Sequence, residues 1–322
     1  MTRVSLCMPT WNAGELLEEV LAAVDRQPGA GDLEKIAIDS GSSDDTVARL
    51  ERHGFRVTVI DQREFDHGRT RDRMLDVATG DVCVLLTQDA TPADERWLEA
   101  LVASFDDPEV GAAYCKQIPR HDCNPFIERR LREWVAGKDE PVVQSCASPE
   151  EFAGWEPMRR LQTSAYDNVA GAVRRAAWAE HRFGSRPFGE DVAFGKRLIL
   201  AGWKIVFQAR SAVIHSHNRT PKDEGKRIYC DHQNLRDLFD VHLLPGWDNY
   251  VAAVDWAKQE YAGIVDQLGL PDPQHAELRA WAQAYGHWAS LGMHLGANSA
   301  ANLASPAGAL FELLDRRLHG GI

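Results

Sequence analysis

Two acidic side chains follow apolar runs of the sequence, where polar groups of an α/β protein often meet a ligand. Asp39 comes directly after Ile36–Ile38, and Asp89 comes shortly after Val82–Leu86. Short, continuous apolar runs of this kind are typical of strands that are buried on both faces of a sheet. Ligands bind beyond the carboxyl ends of such strands, so we expect Asp39 and Asp89 at one binding edge. The alternative is that each carboxylate only caps a turn.

A second acidic pair, Glu190 and Asp191, opens a helical pattern that continues to Leu200. The helix macrodipole and the unbonded N–H groups of the first turn favour negative charge. We therefore expect Asp191 to stay ionised, in a state that can accept a proton. Acids are also common in first helical turns simply because they stabilise the helix.

Two histidines, His215 and His217, follow the apolar run Ala212–Ile214. Residues two positions apart on an extended chain face the same side, so both imidazoles can reach one ligand. A site that combines imidazole with a carboxylate such as Asp89 suits Mn²⁺ better than Ca²⁺. A hydrogen-bonded surface pair is the alternative.

A scaffold of alternating strands and helices is predicted to position these residues. Thr91 and Pro92 have the character of a helix cap and a first helical residue. Gly54 and Gly202 are the expected helix stops. Strands are predicted at 4–8, 36–38, 57–60, 82–86, 110–115, 205–207 and 212–214. This order predicts an α/β fold with a mostly parallel sheet between helices.

The pattern changes near Pro221, and residues 118–165 are too irregular to assign. We predict a first domain at residues 1–220 and a helical C-terminal extension at 221–322. Tryptophans at helical spacing in the extension are expected to be core residues. The last helix, Leu310–Leu318, is amphipathic, which leaves open docking onto the domain, a homodimer, or peripheral membrane contact.

Composition excludes several classes of protein. A formal charge of −12 argues against a nucleic-acid partner. There is neither a G-x-G-x-x-G after the first strand nor a P-loop motif. No apolar run reaches the length of a membrane-spanning helix, and the N-terminus does not resemble a signal peptide. Six cysteines without C-x-x-C spacing favour a reduced, cytoplasmic protein.

Three motifs in this order resemble the inverting family 2 glycosyltransferases with the GT-A fold. The family's V-x-D-x-G-S-x-D-x-T is similar to Ile38–Thr46, which contains Asp39. Its metal-binding D-x-D corresponds to Thr87–Asp89, so one carboxylate is replaced by Thr87. Its helical E-D pair corresponds to Glu190 and Asp191, with Arg197 further along the helix.

Within that family, the chain resembles the bacterial dTDP-rhamnosyltransferases over roughly residues 4–220. Their F-N-H-G-x-T-R-N is similar to Phe65–Asp72, although Asp66 and Asp72 stand where Asn is usual. Their T-Q-D-A and H-S-H-N correspond to Thr87–Ala90 and His215–Asn218. Because the two substitutions affect the donor prediction, a UDP-hexose donor is an alternative to dTDP-L-rhamnose. A non-catalytic nucleotide-sugar-binding or scaffold protein is a second alternative, since Thr87 removes one carboxylate.

The resemblance implies a role for each candidate residue. Asp191 is the general base for an acceptor hydroxyl of a saccharide or lipid-linked saccharide, and Glu190 orients that acceptor or caps the helix. Asp89 and His215 hold Mn²⁺ or Mg²⁺. Asp39 accepts a hydrogen bond from N3–H of uracil or thymine. The remaining donor-binding candidates are Pro9, Thr10, Asn12, Arg71, Gln88 and Asn168. A lipid-linked acceptor would bring the protein to the inner face of the membrane.

Overall fold

The computed structural model describes residues 2–320 and divides the chain into two compact units, residues 1–217 and 218–322. The boundary lies three residues before the 220/221 position at which the sequence pattern changes. The candidate residues for chemistry all belong to the first unit.

One mixed sheet forms the centre of the first unit, and within the described residues it has nine strands. In chain order they are β1 (Val4–Thr10), β2 (Glu34–Asp39), β3 (Arg56–Val59), β4 (Val82–Leu86), β5 (Thr91–Pro92), β6 (Val110–Ile118), β7 (Val142–Gln144), β8 (Ala170–Arg174) and β9 (Lys204–Ile214). Their spatial order is β3-β2-β1-β4-β8-β6-β9-β5, and β7 also pairs with β9.

Most strands run in one direction. Strands β1 to β4 are mutually parallel, and β6 and β9 share their direction, whereas β5, β7 and β8 run the opposite way. Every residue of β4 is buried, as expected for a strand covered on both faces. The predicted α/β fold with a mostly parallel sheet is therefore confirmed. Because β1, β2 and β4 are parallel, Thr10, Asp39 and Asp89 lie at the same edge of the sheet.

Helices of the first unit connect these strands. They are α1 (Leu16–Asp25), α2 (Thr46–Arg52), α3 (His67–Val77), α4 (Trp97–Val102), α5 (Pro125–Glu133), α6 (Pro149–Ala153), α7 (Pro157–Thr163), α8 (Arg175–Glu180) and α9 (Glu190–Leu200). Gly54 and Gly202 follow α2 and α9 with φ of 80° and 86°, the left-handed conformation expected of a glycine stop. Residues 118–165, which the sequence left unassigned, contain α5, β7, α6 and α7.

The predicted helix start at Thr91 and Pro92 is wrong. These residues form β5 and pair with Ile214 and Val213 at the end of β9, while α4 begins only at Trp97. Sheet pairing has prevailed here over a local capping signal. The consequence matters for the site, because β5 brings the segment after Asp89 beside the strand that leads to His215.

A second correction concerns β9. The sequence predicts two short strands, but the structure has one continuous strand, Lys204–Ile214. Its pairing with β6 shifts register between Cys115 and Lys116, which is the behaviour of a β-bulge. The strand therefore passes through the polar residues Gln208, Arg210 and Ser211 without ending.

Helices make up the second unit: α10 (Pro221–Phe239), α11 (Trp247–Gln267), α12 (Asp272–Ala297), α13 (Ser299–Leu303) and α14 (Gly308–His319). Helix α12 packs against both α10 and α11. The contact with α10 is close, since a Cβ on Gly292 would lie 2.4 Å from the Gly225 carbonyl oxygen. Within residues 2–320, no helix has both the length and the apolar character needed to span a bilayer.

The expectation that the tryptophans of this unit form its core is wrong for two of them. Trp247 is 63% exposed and Trp256 is 58% exposed. Helix α14 likewise leaves Leu310, Leu313 and Leu314 exposed. The core positions are instead taken by smaller residues and tyrosine, such as those at 257, 282, 285 and 289. Homodimer formation and membrane contact remain predictions for this unit.

Candidate active site

Asp39 organises the loops that follow β1 and β2. Its side chain is fully buried, and one carboxylate oxygen accepts hydrogen bonds from the backbone N–H groups of Gly41 (3.0 Å) and Ser42 (2.8 Å). The other oxygen accepts from the hydroxyl groups of Thr10 (2.9 Å) and Ser42 (2.6 Å). Four donors match the roughly four acceptor positions of a carboxylate. An N3–H group of a nucleobase would therefore have to replace one of the two rotatable hydroxyls.

Asn12 and Gln88 tie three loops of this edge together. Asn12 has φ of 41°, a left-handed conformation that Asn tolerates better than most residues. Its N–H donates to Ser42 Oγ (2.8 Å), and its Oδ1 accepts from the Ser43 N–H (2.8 Å). Gln88 makes two hydrogen bonds to the backbone of Trp11, of 2.8 and 3.1 Å. The loops after β1, β2 and β4 thus form one rigid surface, with Pro9 inside β1 opposite Ile38.

Asp89, His215 and His217 converge beside this surface. His215 Nε2 lies 3.6 Å from Asp89 Oδ1, and His217 Nε2 lies 3.3 Å from Asp89 Oδ2. The two Nε2 atoms are 3.1 Å apart, and the imidazole rings are perpendicular. One potential ligand atom from each residue lies within 4.8 Å of the others. A carboxylate oxygen with two imidazole nitrogens fits Mn²⁺ better than Mg²⁺, which prefers oxygen ligands.

Two residues that the sequence analysis missed hold this cluster in place. Gln117 Oε1 contacts His215 Nδ1 at 3.0 Å. Arg120 donates from Nη2 to the Asp89 carbonyl oxygen (3.0 Å) and to Thr91 Oγ1 (3.1 Å). A signal existed for Gln117, because it is a polar residue near the carboxyl end of β6. The sequence prediction ended that strand too early, at Cys115.

Glu190 and Asp191 occupy the first two positions of α9, after Gly189 with φ of 68°. Glu190 is buried, and its Oε1 accepts from Arg71 Nη1 (3.1 Å) and Asn168 Nδ2 (3.2 Å). Arg71 is only 4% exposed and also donates to the His67 carbonyl oxygen. Arg71 and Asn168 therefore hold Glu190 in this structure. A direct contact of either residue with a donor remains a prediction.

The expectation that the helix dipole keeps Asp191 ionised is wrong, because the surroundings of this residue raise its pKa. Burial raises the pKa of Asp191 well above its usual range, and the negative charges of Glu190 and Asp167 raise it further. The Val192 N–H and Arg71 act in the opposite direction but do not prevail. The cost of desolvating the charged form outweighs the dipole here. A raised pKa suits a base better than a fully stabilised carboxylate does, because a base is most effective with a pKa near the working pH.

Asp66 and Asp72, the two departures from the rhamnosyltransferase pattern, anchor the loop before α9. Asp72 accepts hydrogen bonds from Trp178 Nε1 (2.7 Å) and from the N–H groups of Phe183 (3.0 Å) and Gly184 (2.9 Å). Asp66 caps α3 and accepts from Ser185 Oγ at 2.6 Å. Both carboxylates thus have a structural function in this chain.

Three buried polar atoms in the residues around the acidic pair lack a hydrogen-bond partner. Among the described residues, Asn168 Oδ1, Tyr166 Oη and Arg71 Nε are buried and have no hydrogen-bond partner. Such groups are rare in folded proteins because each one costs free energy. Two of the three residues, Arg71 and Asn168, contact Glu190 directly.

The candidate residues form three connected groups. Thr10, Asn12, Asp39 and Gln88 make the first group, Asp89 with the two histidines makes the second, and Glu190 with Asp191, Arg71 and Asn168 makes the third. Gln88 and Asp89 are adjacent in the chain. Gln117 contacts His215 of the second group and donates to the carboxylate of Asp167, the residue that precedes Asn168 of the third group.

Comparisons with known proteins show the family of the chain. The family model named glycosyl transferase family 2 matches residues 5–174. The O-antigen chain rhamnosyltransferase RfbN of Salmonella typhimurium (strain LT2) is 33% identical over 231 residues, 70% of this chain and 70% of the relative. The O-antigen chain rhamnosyltransferase WbaN of Salmonella anatum is 32% identical over 235 residues, 71% of each chain.

A solved structure shares the fold. Mannosyltransferase PcManGT from Pyrobaculum calidifontis, in complex with GDP-Man and Mn²⁺, superimposes with a TM-score of 0.54 at 20% identity, covering 98% of this chain and 80% of that one. The predicted GT-A fold is thereby confirmed. With the family model along residues 5–174 and two relatives across about 70% of its length, the chain belongs to glycosyl transferase family 2.

Proposed function

We propose that this glycosyltransferase moves L-rhamnose from dTDP-L-rhamnose to a hydroxyl group of a saccharide or glycolipid acceptor, with inversion at the anomeric carbon, in the synthesis of a surface polysaccharide. The two curated relatives carry the name rhamnosyltransferase, which supports this sugar. The observation that carries the mechanism is the placement of Asp191, a partly buried acid of raised pKa, in the same unit as the Asp89–His215–His217 cluster.

Asp89, His215 and His217 would hold a divalent ion, which we propose to be Mn²⁺. When bound, the ion supplies positive charge that stabilises the diphosphate leaving group. His217 joins the ligand set that the sequence analysis limited to Asp89 and His215. Arg120 keeps the Asp89 segment in position through its hydrogen bond to the backbone.

Asp191 would take the proton from the acceptor hydroxyl as that oxygen attacks the anomeric carbon. Direct displacement from the face opposite the leaving group inverts the configuration and needs no enzyme nucleophile. Glu190, fixed by Arg71 and Asn168, orients the acceptor. The unsatisfied Oδ1 of Asn168 is a further contact for a sugar hydroxyl.

Recognition of the nucleotide would fall to the surface made by Pro9, Thr10, Asn12, Asp39 and Gln88. Because Asp66 and Asp72 have structural partners in the loop at 183–185, their presence no longer favours a UDP-hexose donor. An intact acidic pair with a raised pKa at Asp191 speaks against a non-catalytic scaffold.

Isothermal titration calorimetry with dTDP and UDP, each with and without Mn²⁺, tests the donor site. We expect Mn²⁺-dependent binding with preference for dTDP, followed by transfer of rhamnose when dTDP-L-rhamnose and an acceptor are supplied. Preference for UDP would replace rhamnose by a hexose and leave the mechanism unchanged. Failure of both nucleotides to bind would refute the roles of Asp39 and Asp89.

A further inference from the structure

Gln117 connects the proposed metal cluster with Asp167. Its Oε1 faces His215 Nδ1 at 3.0 Å, and its Nε2 donates to Asp167 Oδ2. Gln117 is 7% exposed, so water does not compete for either hydrogen bond. The register of β6 and β9 fixes the approach, because Gln117 is paired with Val213, two residues before His215.

The direction of this hydrogen-bond chain follows from the chemistry of Asp167. Asp167 Oδ1 already accepts from the Val169 N–H at 2.8 Å. The Gln117 amide nitrogen donates to Oδ2, since a carboxylate oxygen can only accept a hydrogen bond. Burial raises the pKa of Asp167, and the hydrogen bonds from the Val169 N–H and Gln117 act against that rise by stabilising the carboxylate. The Gln117 oxygen therefore faces His215, and His215 must carry its proton on Nδ1. Its Nε2 then presents a lone pair towards Asp89.

We propose that Gln117 and Asp167 are positioning residues that fix His215 in the Nδ1–H tautomer, the form able to bind a metal ion through Nε2. The inference rests on the proposed metal site. It assigns a function to two residues that touch neither the ion nor the substrate. Metal-ligating histidines generally donate their second N–H to a carboxylate, carbonyl oxygen or water, and loss of such a partner typically costs about 10–100-fold in metal affinity.

The substitution Asp167→Asn reverses the donor and acceptor roles along this series of hydrogen bonds and keeps the shape of the side chain. The new side-chain oxygen stays with the Val169 N–H, so the amide NH₂ points at Gln117. Gln117 must then turn its oxygen towards residue 167 and its NH₂ towards His215. His215 Nδ1 becomes an acceptor, the proton moves to Nε2, and the lone pair for the ion is lost. We expect Mn²⁺ affinity in the presence of dTDP to fall about 10–100-fold.

The double substitution Gln117→Glu with Asp167→Asn is the matched rescue. The Glu carboxylate accepts from the amide NH₂ at residue 167 on one oxygen and from His215 Nδ1–H on the other. The total charge is unchanged, and the original tautomer returns. We expect Mn²⁺ affinity to recover to within about threefold of the natural protein, on the same scale of effects. A role limited to packing would not give this recovery.

Mn²⁺ binding is measured by electron paramagnetic resonance with dTDP present, and the tautomer by ¹⁵N NMR of the imidazole nitrogens without metal. A tautomer and an Mn²⁺ affinity unchanged by Asp167→Asn would overturn the inference, as would a folded double variant that does not recover. If the natural protein binds no Mn²⁺, the metal proposal fails, and the NMR tautomer of the two proteins still decides the inference. If Asp167→Asn does not fold, Gln117→Leu takes its place, with the same loss expected and an unchanged tautomer again contradicting the inference.

Discussion

Asp191, the proposed general base, shows how its neighbours in this fold raise the pKa of an acid. It stands beside Glu190 and near Asp167, and burial of the group adds to the effect of these two negative charges on its pKa. Arg71 does not pair with Asp191 but with Glu190. The arrangement leaves one of two neighbouring acids neutralised by a buried partner and keeps the other available for a proton.

Replacing Asp191 tests this role. We expect Asp191→Asn to lower kcat about 10²–10⁴-fold and to leave the affinity for dTDP unchanged, because the amide cannot accept the hydroxyl proton. In the natural enzyme, the base is protonated below its raised pKa. The rate should therefore fall on acidification at a pH above the ordinary value for Asp of about 3.9.

Steady-state kinetics from pH 5 to 9, with nucleotide affinity measured in parallel, checks both statements. Glu156→Gln is a suitable control, since this acid lies outside the proposed site and caps α7 without a side-chain hydrogen bond. Activity of Asp191→Asn equal to that of the natural enzyme would remove Asp191 from the mechanism.

Burial of the cysteine side chains determines how reactive their thiol groups are. Cys230 Sγ is 3.4 Å from His319 Nδ1, and His319 Nε2 is 3.6 Å from Asp315 Oδ1, an order of groups that could suggest a nucleophile and its base. Burial nevertheless raises the pKa of Cys230 to about 11, and that of Cys83 to about 12. Both groups are therefore thiols at neutral pH and poor nucleophiles.

We expect a thiol reagent to modify the native protein fastest at Cys146. Among the six cysteines, which all lie in the described part of the chain, it alone is not classed as buried. Time courses with Ellman's reagent at pH 8, with and without urea, measure this. Cys146→Ser should remove the fast phase, and a fast phase that survives in this variant would show that another thiol is accessible.

Among the elements, α3 and the loop at 183–185 depend on an unusually close approach. A Cβ on Gly68 would lie 1.8 Å from the Gly184 carbonyl oxygen, so α3 can reach the loop only with glycine at this position. Asp66 and Asp72 then hold the loop with their carboxylates. Since α9 and its acidic pair follow directly, this contact helps to position the end of the helix that carries the proposed catalytic residues.

Gly68→Ala should therefore destabilise the protein by about 1–3 kcal/mol, the usual cost of overpacking. The matched control is Gly263→Ala in α11, where an added Cβ meets no atom within 4 Å. There the loss of glycine flexibility should stabilise the helix by about 0.5–1 kcal/mol. Urea unfolding of both variants gives the two free energies. Equal effects would contradict the close contact.

How far the sequence predicts each element depends on how local its determinants are. Strand β4 and the stops at Gly54 and Gly202 follow from an apolar run and from the conformational freedom of glycine, both of which are properties of neighbouring residues. The failure at Thr91 came from pairing with Ile214, more than one hundred residues away. The same holds for the site. Asp89 could be predicted from the apolar strand that precedes it, whereas the proposed role of Gln117 depends on its contact with His215, which is distant in sequence.

At the scale of the molecule, the proposed ligand-binding residues lie in the first unit, residues 1–217. A ligand that binds only the folded state stabilises the protein by about 2.7 kcal/mol at one hundred times its Kd. The local effect should be concentrated where the residues of the site meet. These residues lie in four segments of the chain: the loops at 10–12, 39–43 and 88–90, and residues 215–217.

Hydrogen–deuterium exchange with and without dTDP and Mn²⁺ should accordingly show slower exchange in these four segments. Protein with Mn²⁺ but without nucleotide is the control. It measures the slowing of exchange that comes from the metal ligands Asp89, His215 and His217 alone. An unchanged exchange rate at 39–43 on nucleotide binding would contradict the proposed position of the nucleobase beside Asp39. Unchanged exchange at 215–217 would contradict the metal ligands.

The spatial order of the strands also has a consequence for synthesis on the ribosome. Strand β4 is bordered by β1, which precedes it, and by β8, which the ribosome produces roughly 80 residues later. At about 5–20 residues per second, this apolar strand keeps an open edge for roughly 4–16 s. Exposed apolar edges recruit other chains into aggregates. The segment that leads to Asp89 is therefore a part of the nascent protein that a chaperone would protect, and a pause in translation before residue 170 would lengthen that exposure.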